Sequence, residues 1–423
     1  MKFNKVKSLL TSGLSYILVG NFLSKAVAML TSVLIVRLVD KTEYAHLAYT
    51  NNLYSYIGLF IGLGLGSALV VTCTPDVSLG KQRTYLNIAL LYGGLFELVA
   101  ALILCVVTQL VDIPFPEARK YIWLLVLHPM MSYQFNAFQA FVRVKRNNKL
   151  YAILSAVQTV AECGFGIVLV LLIGTAGVLW GRYLTIVLVL ILVVRYISSV
   201  NSGITREALS RTEIRSFIAT AIAIMFANMF SSIIPINELF IVNNMIQDEI
   251  ITANFKVAGI IPSVLTIFTS AVMVYYYPII AANKHTPQIK RKVFQIAAIN
   301  GVIVIGLTAI GMLLTPFGIE LVYGKKYLDA VSLSYPLWIM RAVHAALVLV
   351  PLNVLPAIGK SKFNAFVSIG TCIIHAVLDY LFISMWGVEG AAYATIIAYA
   401  LSGLCLWVYF IKVCPVKQKG TAI

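Results

Sequence analysis

The chain is poor in charge, and in acidic residues above all. Charged residues make up 11% of its 423 residues, with 16 acidic against 32 basic side chains. Its six cysteines follow no metal-ligand spacing, so the sequence supports neither a disulfide framework nor a zinc site. The longest polar stretch, Arg195 to Arg215, is far too short to form a soluble domain. We therefore expect any chemistry of this chain to take place at membrane depth.

Apolar sequence is what the chain has in abundance. Hydrophobic residues make up 60% of it, and mostly apolar runs of about 20 residues keep returning, which is typical of membrane-spanning helices. Twelve such runs are predicted, the first from Thr11 to Val36 and the last from Ala391 to Ile411. The sequence therefore predicts an all-α, polytopic membrane protein with about twelve transmembrane helices.

The basic residues are distributed unevenly over the gaps between these runs. On one side of the predicted membrane lie 22 basic and three acidic residues, and on the other lie six basic and nine acidic residues. Because Lys and Arg near helix ends stay on the cytoplasmic side, both termini are predicted to be cytoplasmic, in an inner membrane. The net charge of +16 is thus explained by topology and by contact with lipid headgroups, and no nucleic-acid binding is expected.

The chain also repeats itself at half its length. Gly174-Thr-Ala-Gly177, before the sixth run, recurs 213 residues later as Gly387-Val-Glu-Gly390, before the twelfth. An even number of helices in each half gives both halves the same orientation. We therefore expect two parallel six-helix lobes, residues 1–212 and residues 213–423, and such lobes commonly enclose a central pathway.

A small set of ionisable residues falls inside the predicted spans, where each costs about 2.5 to 3.5 kcal/mol on insertion scales. It comprises Lys25, Glu97, Glu162, Arg182, Glu238, Lys256, Arg341 and Asp379, with His128, His344 and His375 as titratable additions. Four acids meet four bases, so one interpretation is simple pairing, in which Glu97, Glu162 and Asp379 neutralise bases and hold helices together.

Several of the cations favour a second interpretation. Lys25 lies near the middle of the first run, Lys256 and Arg341 lie in the outer halves of theirs, and Arg37 stands at the outer end of the first. Cations facing a cavity would bind an anionic headgroup, and a diphosphate in particular. Arg182 lies so close to the outer interface that snorkelling is expected for it.

Polar side chains in the runs allow two interpretations as well. Asn21 and Asn228, which align when the first and seventh runs are superposed, could hydrogen-bond sugar hydroxyls or could join neighbouring helices as polar contacts.

Five motifs extend over essentially the whole chain, although each of them alone is loose. They are residues 37–44 (RLVDKTEY), 143–151 (RVKRNNKLY), 321–330 (LVYGKKYLDA), 358–360 (IGK) and 386–392 (WGVEGAA). In this order they resemble the polysaccharide and oligosaccharidyl-lipid exporters of the MATE-like superfamily, especially Wzx-type O-antigen flippases.

The resemblance implies a V-shaped cavity between two six-helix lobes related by a pseudo-two-fold repeat. It also implies translocation of undecaprenyl-diphosphate-linked oligosaccharide units from the cytoplasmic to the periplasmic leaflet of a bacterial inner membrane. Lys25, Arg37 and Lys256 are the positions that it assigns to headgroup and glycan binding, whereas Arg341 rests on its depth. Proton-coupled drug exporters of the superfamily typically have an acidic residue in the first helix. This chain has Lys25 there instead, which favours an anionic cargo.

Other functions and the source of energy stay open at this point. A cation- or proton-coupled multidrug exporter is one alternative, and a membrane-embedded glycan polymerase or ligase is a weaker one, because no large outer loop carries catalytic residues. Coupling could use Glu238, Asp379 or a histidine such as His128, or the membrane potential. We expect neither a metal nor a cofactor. Polymerase and chain-length proteins of the same pathway are candidate partners.

Overall fold

The computed structural model describes residues 13–282 and 288–414. It describes the backbone alone for residues 13–23, 25, 227, 230, 231, 267, 271, 274, 275, 278, 279, 281, 282 and 361. The long helices are α1 (Gly13–Leu38), α2 (Lys41–Thr72), α3 (Leu79–Leu110), α4 (His128–Val144), α5 (Asn148–Ile173), α6 (Ala176–Val200), α7 (Arg211–Ile246), α8 (Glu249–Ala282), α9 (Ile289–Tyr323), α10 (Ala330–Ala357), α11 (Ser361–Trp386) and α12 (Val388–Val413).

These helices agree with the predicted series of apolar runs. Within the residues just named, nine of them contain an apolar stretch long enough to cross a membrane: α2, α3, α5, α6 and α8 to α12. The apolar parts described for α1 and α7 are shorter, and α4 has 17 residues. The prediction of an all-helical, multi-pass membrane protein is confirmed, and a count of twelve spans is consistent with it.

Contacts divide the chain into two compact units within α7. Unit 1 extends to Met229, and unit 2 begins at Phe230. The domain boundary predicted from the sequence, after residue 212, lies in the first turn of the same helix. That boundary stays a prediction.

Helices pack in the same pattern in both units. In unit 1, α4 contacts α2, α3 and α6, and α6 also packs along α5. In unit 2, α10 contacts α8, α9 and α12, and α12 also packs along α11. Each of these four contacts of unit 1 therefore recurs six helices later, as expected for a structural repeat.

The recurring glycine pairs make the same turn in each unit. Gly174 has φ 68° and Gly387 has φ 61°, a region that glycine enters without steric cost. A Cβ at Gly177 would collide with the carbonyl of Leu169, and one at Gly390 would collide with the carbonyl of Phe382. Both glycines of each pair are thus required to return the chain tightly from α5 to α6 and from α11 to α12.

Each unit also has its own packed core. Phe135, Val189 and Phe217 are buried together in unit 1, and Val304 and Trp338 are buried together in unit 2. Lipid tails are as apolar as these side chains, so the cores stabilise the fold through close packing and internal hydrogen bonds. In unit 2, for example, the Trp338 indole donates to Thr315 Oγ1 over 2.8 Å.

Candidate functional site

A cavity of about 240 Å³ in unit 2 is lined by three of the predicted intramembrane charges. Glu238 comes from α7, Lys256 from α8 and Arg341 from α10. Residues far apart in the sequence, which were singled out only by their depth, are therefore brought together at one cavity.

Local sequence explains why these side chains reach the cavity. On α8, Lys256 is followed at helical spacing by Gly259 and Ser263, which line the same cavity and so leave room beside the ammonium group. On α7, Pro235 precedes Glu238 by about one turn, and a proline inside a helix permits bending there. On α10, a π-helical turn begins at His344, directly after the turn that contains Arg341.

Glu238 begins a buried chain of polar groups that leads away from the cavity. Its carboxylate accepts a hydrogen bond from Thr395 Oγ1 over 3.0 Å, and Nε2 of His375 lies 2.8 Å from the same Thr395 oxygen. Nδ1 of His375 lies 3.2 Å from a carboxylate oxygen of Asp379, one turn along α11. The side chains of His375 and Asp379 are fully buried.

The hydrogen-bond pattern needs one further proton along this chain, at a place that depends on the tautomer of His375. When Thr395 donates to Glu238, its oxygen accepts from His375 Nε2, which must then carry a hydrogen. The neutral imidazole would thus turn a bare Nδ1 toward Asp379, and two bare acceptors repel at 3.2 Å. In that case a further proton lies on His375 or on Asp379. When Thr395 instead donates to His375 Nε2, the further proton lies on Glu238 and Nδ1–H of His375 faces Asp379, so this arrangement can hold one proton at either end.

The cavity itself carries an excess of positive charge. Arg341 and Lys256 both interact electrostatically with Glu238, so two cations face one carboxylate. Within the described residues, Nε of Arg341 is buried without a hydrogen-bond partner. A buried guanidinium nitrogen left unsatisfied is costly, so this arrangement suits an anionic group with oxygen acceptors.

In unit 1, the other predicted charges are paired instead. Arg182 of α6 lies 3.6 Å from the Glu162 carboxylate of α5 and donates to Asn51 of α2 over 2.7 Å. His128 begins α4 and packs edge-on against Tyr183, next to Arg182 in the chain. Arg182 therefore joins three helices of unit 1, in place of the snorkelling expected for it.

Glu97 has a partner that the sequence did not indicate. Its carboxylate, on α3, accepts a 2.6 Å hydrogen bond from the backbone N–H of Gly62. At that point α2 is broken, because Gly62, Leu63 and Gly64 all have left-handed backbone angles. Glu97 thus caps a helix break in place of neutralising a base.

The remaining predicted residues lie elsewhere. Arg37 is exposed at the end of α1, and Asn228 is exposed on the part of α7 that belongs to unit 1. The side chains of Asn21 and Lys25 lie outside the described part of the structure. Of the predicted binding residues, Lys256 and Arg341 are therefore the two that the structure places at one cavity.

Thr395 and Tyr399 were missed from the sequence. Thr395 links Glu238 to His375, and buried Tyr399 packs its ring 4.7 Å from the ring of His344. A single hydroxyl in a small-residue helix gives little signal by itself. The signal that could have found them is their spacing of four residues on α12, which matches the spacing of His375 and Asp379 on α11.

The helix arrangement and the cationic cavity define a membrane protein with the fold of the MATE-like exporters. Lipid II flippase MurJ, in an inward closed conformation, matches with a TM-score of 0.76 at 15% identity, over 94% of this chain and 87% of that one. A multidrug resistance MATE family transporter of the MOP superfamily, in an inward-facing conformation, matches with a TM-score of 0.72 at 12% identity, over 94% of this chain and 96% of that one. A MOP superfamily transporter from Pyrococcus furiosus matches with a TM-score of 0.62 at 12% identity, over 95% of both chains. The predicted MATE-like fold is confirmed.

The family follows from the sequence match. Residues 34–332, more than half of the chain, match the family described as "Polysaccharide biosynthesis protein", and the chain belongs to this family. A curated protein of Shigella flexneri named "Putative O-antigen transporter" is 23% identical over 193 residues. That match covers 45% of this chain and 46% of the relative, so the chain spans about half the length of the curated relative that it matches.

Proposed function

We propose that this protein is a flippase for undecaprenyl-diphosphate-linked oligosaccharide repeat units of the O-antigen type. It carries them across the bacterial inner membrane by alternating access, with both termini in the cytoplasm. Membership in a polysaccharide biosynthesis family supports a glycan cargo, and the fold supports transport over catalysis. The 22 basic residues on one side support the orientation.

The observation that carries this proposal is the cationic cavity of unit 2. Lys256 provides a mobile point charge and Arg341 provides fixed, directional N–H donors, a combination that suits the oxygens of a diphosphate. Lys25 and Arg37, with Asn21 and Asn228, are proposed as further contacts for the headgroup and the glycan.

Charge removal at the cavity tests the binding role. Loss of one charge-assisted hydrogen bond costs about 1.5 to 3 kcal/mol, so Lys256→Gln and Arg341→Gln should each bind undecaprenyl diphosphate about 10- to 100-fold more weakly. Binding would be measured in nanodiscs, and flipping would be measured in proteoliposomes. Lys360→Gln, which removes an exposed charge after α10, is the matched control and should behave as wild type. Unchanged binding and flipping in both cavity variants would show that the site is wrong.

We further propose that Glu238 couples transport to protons. The Thr395 hydroxyl connects Glu238 to the buried pair His375 and Asp379, so a change of charge at the cargo site can move a proton between the two ends of this chain. Glu238→Gln should slow flipping at least about tenfold, because a positioned proton-transfer group usually contributes more than that to a rate. The variant should also remove the response of flipping to a pH gradient. Glu320→Gln, an exposed acid on α9, is the control. Full flipping by Glu238→Gln with an unchanged pH response would contradict this role.

A further inference from the structure

A second cavity, of about 170 Å³, lies within unit 1 among α2, α4 and α5. Its polar lining is Ser67, Asn136, Gln139, Arg143 and Tyr151. Asn136, Gln139 and Arg143 follow one another at helical spacing, so one face of α4 supplies most of the hydrogen-bonding groups. This set shares no residue with the charge pair of Arg182 or with the lining of the cationic cavity of unit 2.

Two of these polar groups are exposed within otherwise apolar spans. Ser67 and Asn136 are both solvent-accessible, and among the described residues neither side chain has a hydrogen-bond partner. A polar side chain facing lipid without a partner is costly, so such groups face a water-filled cavity. Gln139, in contrast, is held in place because its amide donates to Ser155 over 3.1 Å.

Aromatic rings form another part of the lining. The guanidinium carbon of Arg143 lies 5.4 Å from the ring centroid of Tyr151, so the two side chains stack. The ring of Tyr133 is fixed by a 2.9 Å hydrogen bond from its hydroxyl to the Ala89 carbonyl. A Cβ at Gly62 or at Gly93 would collide with that ring, so its position is also set by packing.

The chemistry and size of this cavity limit its ligand. Amides and hydroxyls that can both donate and accept, next to aromatic rings, match the hydroxyls and the apolar ring face of a sugar. In the described part of the chain no acidic side chain lines the cavity, which gives a cationic ligand no counter-ion. The volume is below the roughly 300 Å³ of the smallest usual ligand pockets, so it holds one ring and not an oligosaccharide.

We propose that the cavity among α2, α4 and α5 is a subsite for a single sugar ring of the lipid-linked glycan. Asn136 and Ser67 provide its free hydrogen-bonding groups. This inference rests on the proposed transport function and adds a contact for the glycan part of the cargo.

Two separate probes distinguish sugar recognition from headgroup binding. They are the free glycoside methyl N-acetylglucosaminide and undecaprenyl diphosphate, and the affinity for each is measured by titration in nanodiscs. The double variant Ser67→Ala/Asn136→Ala should bind the glycoside about tenfold more weakly than the wild-type protein, the scale of one or two lost hydrogen bonds. It should keep its affinity for undecaprenyl diphosphate.

Controls distinguish failure of the subsite from failure of the transport proposal. Asn353→Ala removes an asparagine amide from α10, where it donates to the Leu349 carbonyl, and should leave glycoside binding unchanged. Lys256→Gln should weaken binding of undecaprenyl diphosphate and leave glycoside binding unchanged. A wild-type protein that does not bind the glycoside, or glycoside binding that survives undiminished in the double variant, overturns the sugar subsite. Unaltered binding of undecaprenyl diphosphate by Lys256→Gln contradicts the proposed headgroup site instead.

Discussion

The two units carry polar clusters at corresponding positions, but the residues of those clusters form different interactions. In unit 1, Glu162 and Arg182 form an ion pair between α5 and α6. The positions 213 residues later are His375 and Thr395, on α11 and α12, and they form a hydrogen bond. His128 corresponds in the same way to Arg341. The same framework thus holds a closed charge pair in one unit and an open, titratable chain in the other.

This difference indicates how two structurally equivalent units can have different roles. A paired Arg and Glu satisfy each other and gain nothing from a further ligand, so the cluster of unit 1 joins helices. The cluster of unit 2 ends at Glu238, beside two cations, and at Asp379, whose carboxylate lies 3.2 Å from Nδ1 of the titratable His375. We therefore expect substitutions in unit 1 to reduce stability and substitutions in unit 2 to reduce transport.

Substitution of the tightly packed glycines at the two turns should destabilise the protein equally in both units. Gly177→Ala and Gly390→Ala each place a Cβ against a backbone carbonyl, so each should lower the free energy of unfolding by about 3 kcal/mol. This would be measured by denaturant titration in mixed micelles. Gly301→Ala, where a Cβ meets open space, is the control and should cost nothing. A large effect in only one of the two units would contradict the equivalence of their turns.

The ion pair of unit 1 should matter for stability in particular. Arg182→Leu leaves Glu162 without its ion-pair partner and removes the hydrogen bond to Asn51. It should lower the free energy of unfolding by about 2 kcal/mol, which lies between the costs of breaking an exposed and a buried ion pair. Adding Glu162→Leu should recover part of that loss, because no unpaired charge then remains. A single variant as stable as wild type, measured in the same titration, would show that the pair is not structural.

The hydroxyl of unit 2 should affect transport more than stability. Thr395→Val keeps the shape of the side chain but breaks the chain between Glu238 and His375, at a cost to stability of about 1 kcal/mol. It should also reduce the pH response of flipping in proteoliposomes. Thr395→Ser restores the hydroxyl and should restore that response. A pH response unchanged in Thr395→Val would remove Thr395 from the coupling pathway.

The smallest effect is expected from an ion pair outside both clusters. Glu213 lies in the first turn of α7, before the predicted span begins. The Lys81 ammonium, 2.7 Å from the Glu213 carboxylate, lowers the pKa of Glu213 to about 2. Its stabilising contribution is present above the usual carboxyl pKa of 4.5 and is lost as the pH falls from there to about 2. Glu213→Gln should remove this part of the acid dependence of the melting temperature, while flipping at neutral pH stays unchanged.

Much of the fold could be predicted because its signals are local. Apolar run length predicted the helices, and the recurring glycines before α6 and α12 indicated the repeat, since both depend only on nearby residues. Pairing of Glu162 with a base also agrees with the structure. The break in α2 capped by Glu97 and the link through Thr395 could not be predicted, because each depends on a contact between helices far apart in the chain.

The sequence by itself determined that this protein is helical, that it belongs in a membrane and which few charges must be buried there. Those properties follow from the composition and spacing of residues along the chain, because the cost of placing polar groups in lipid allows few kinds of structure. Only the tertiary structure decided which intramembrane charges share a cavity, because partners are set by helix packing. Packing closes Arg182 onto Glu162 in unit 1, and it leaves Lys256 and Arg341 beside a single carboxylate in unit 2.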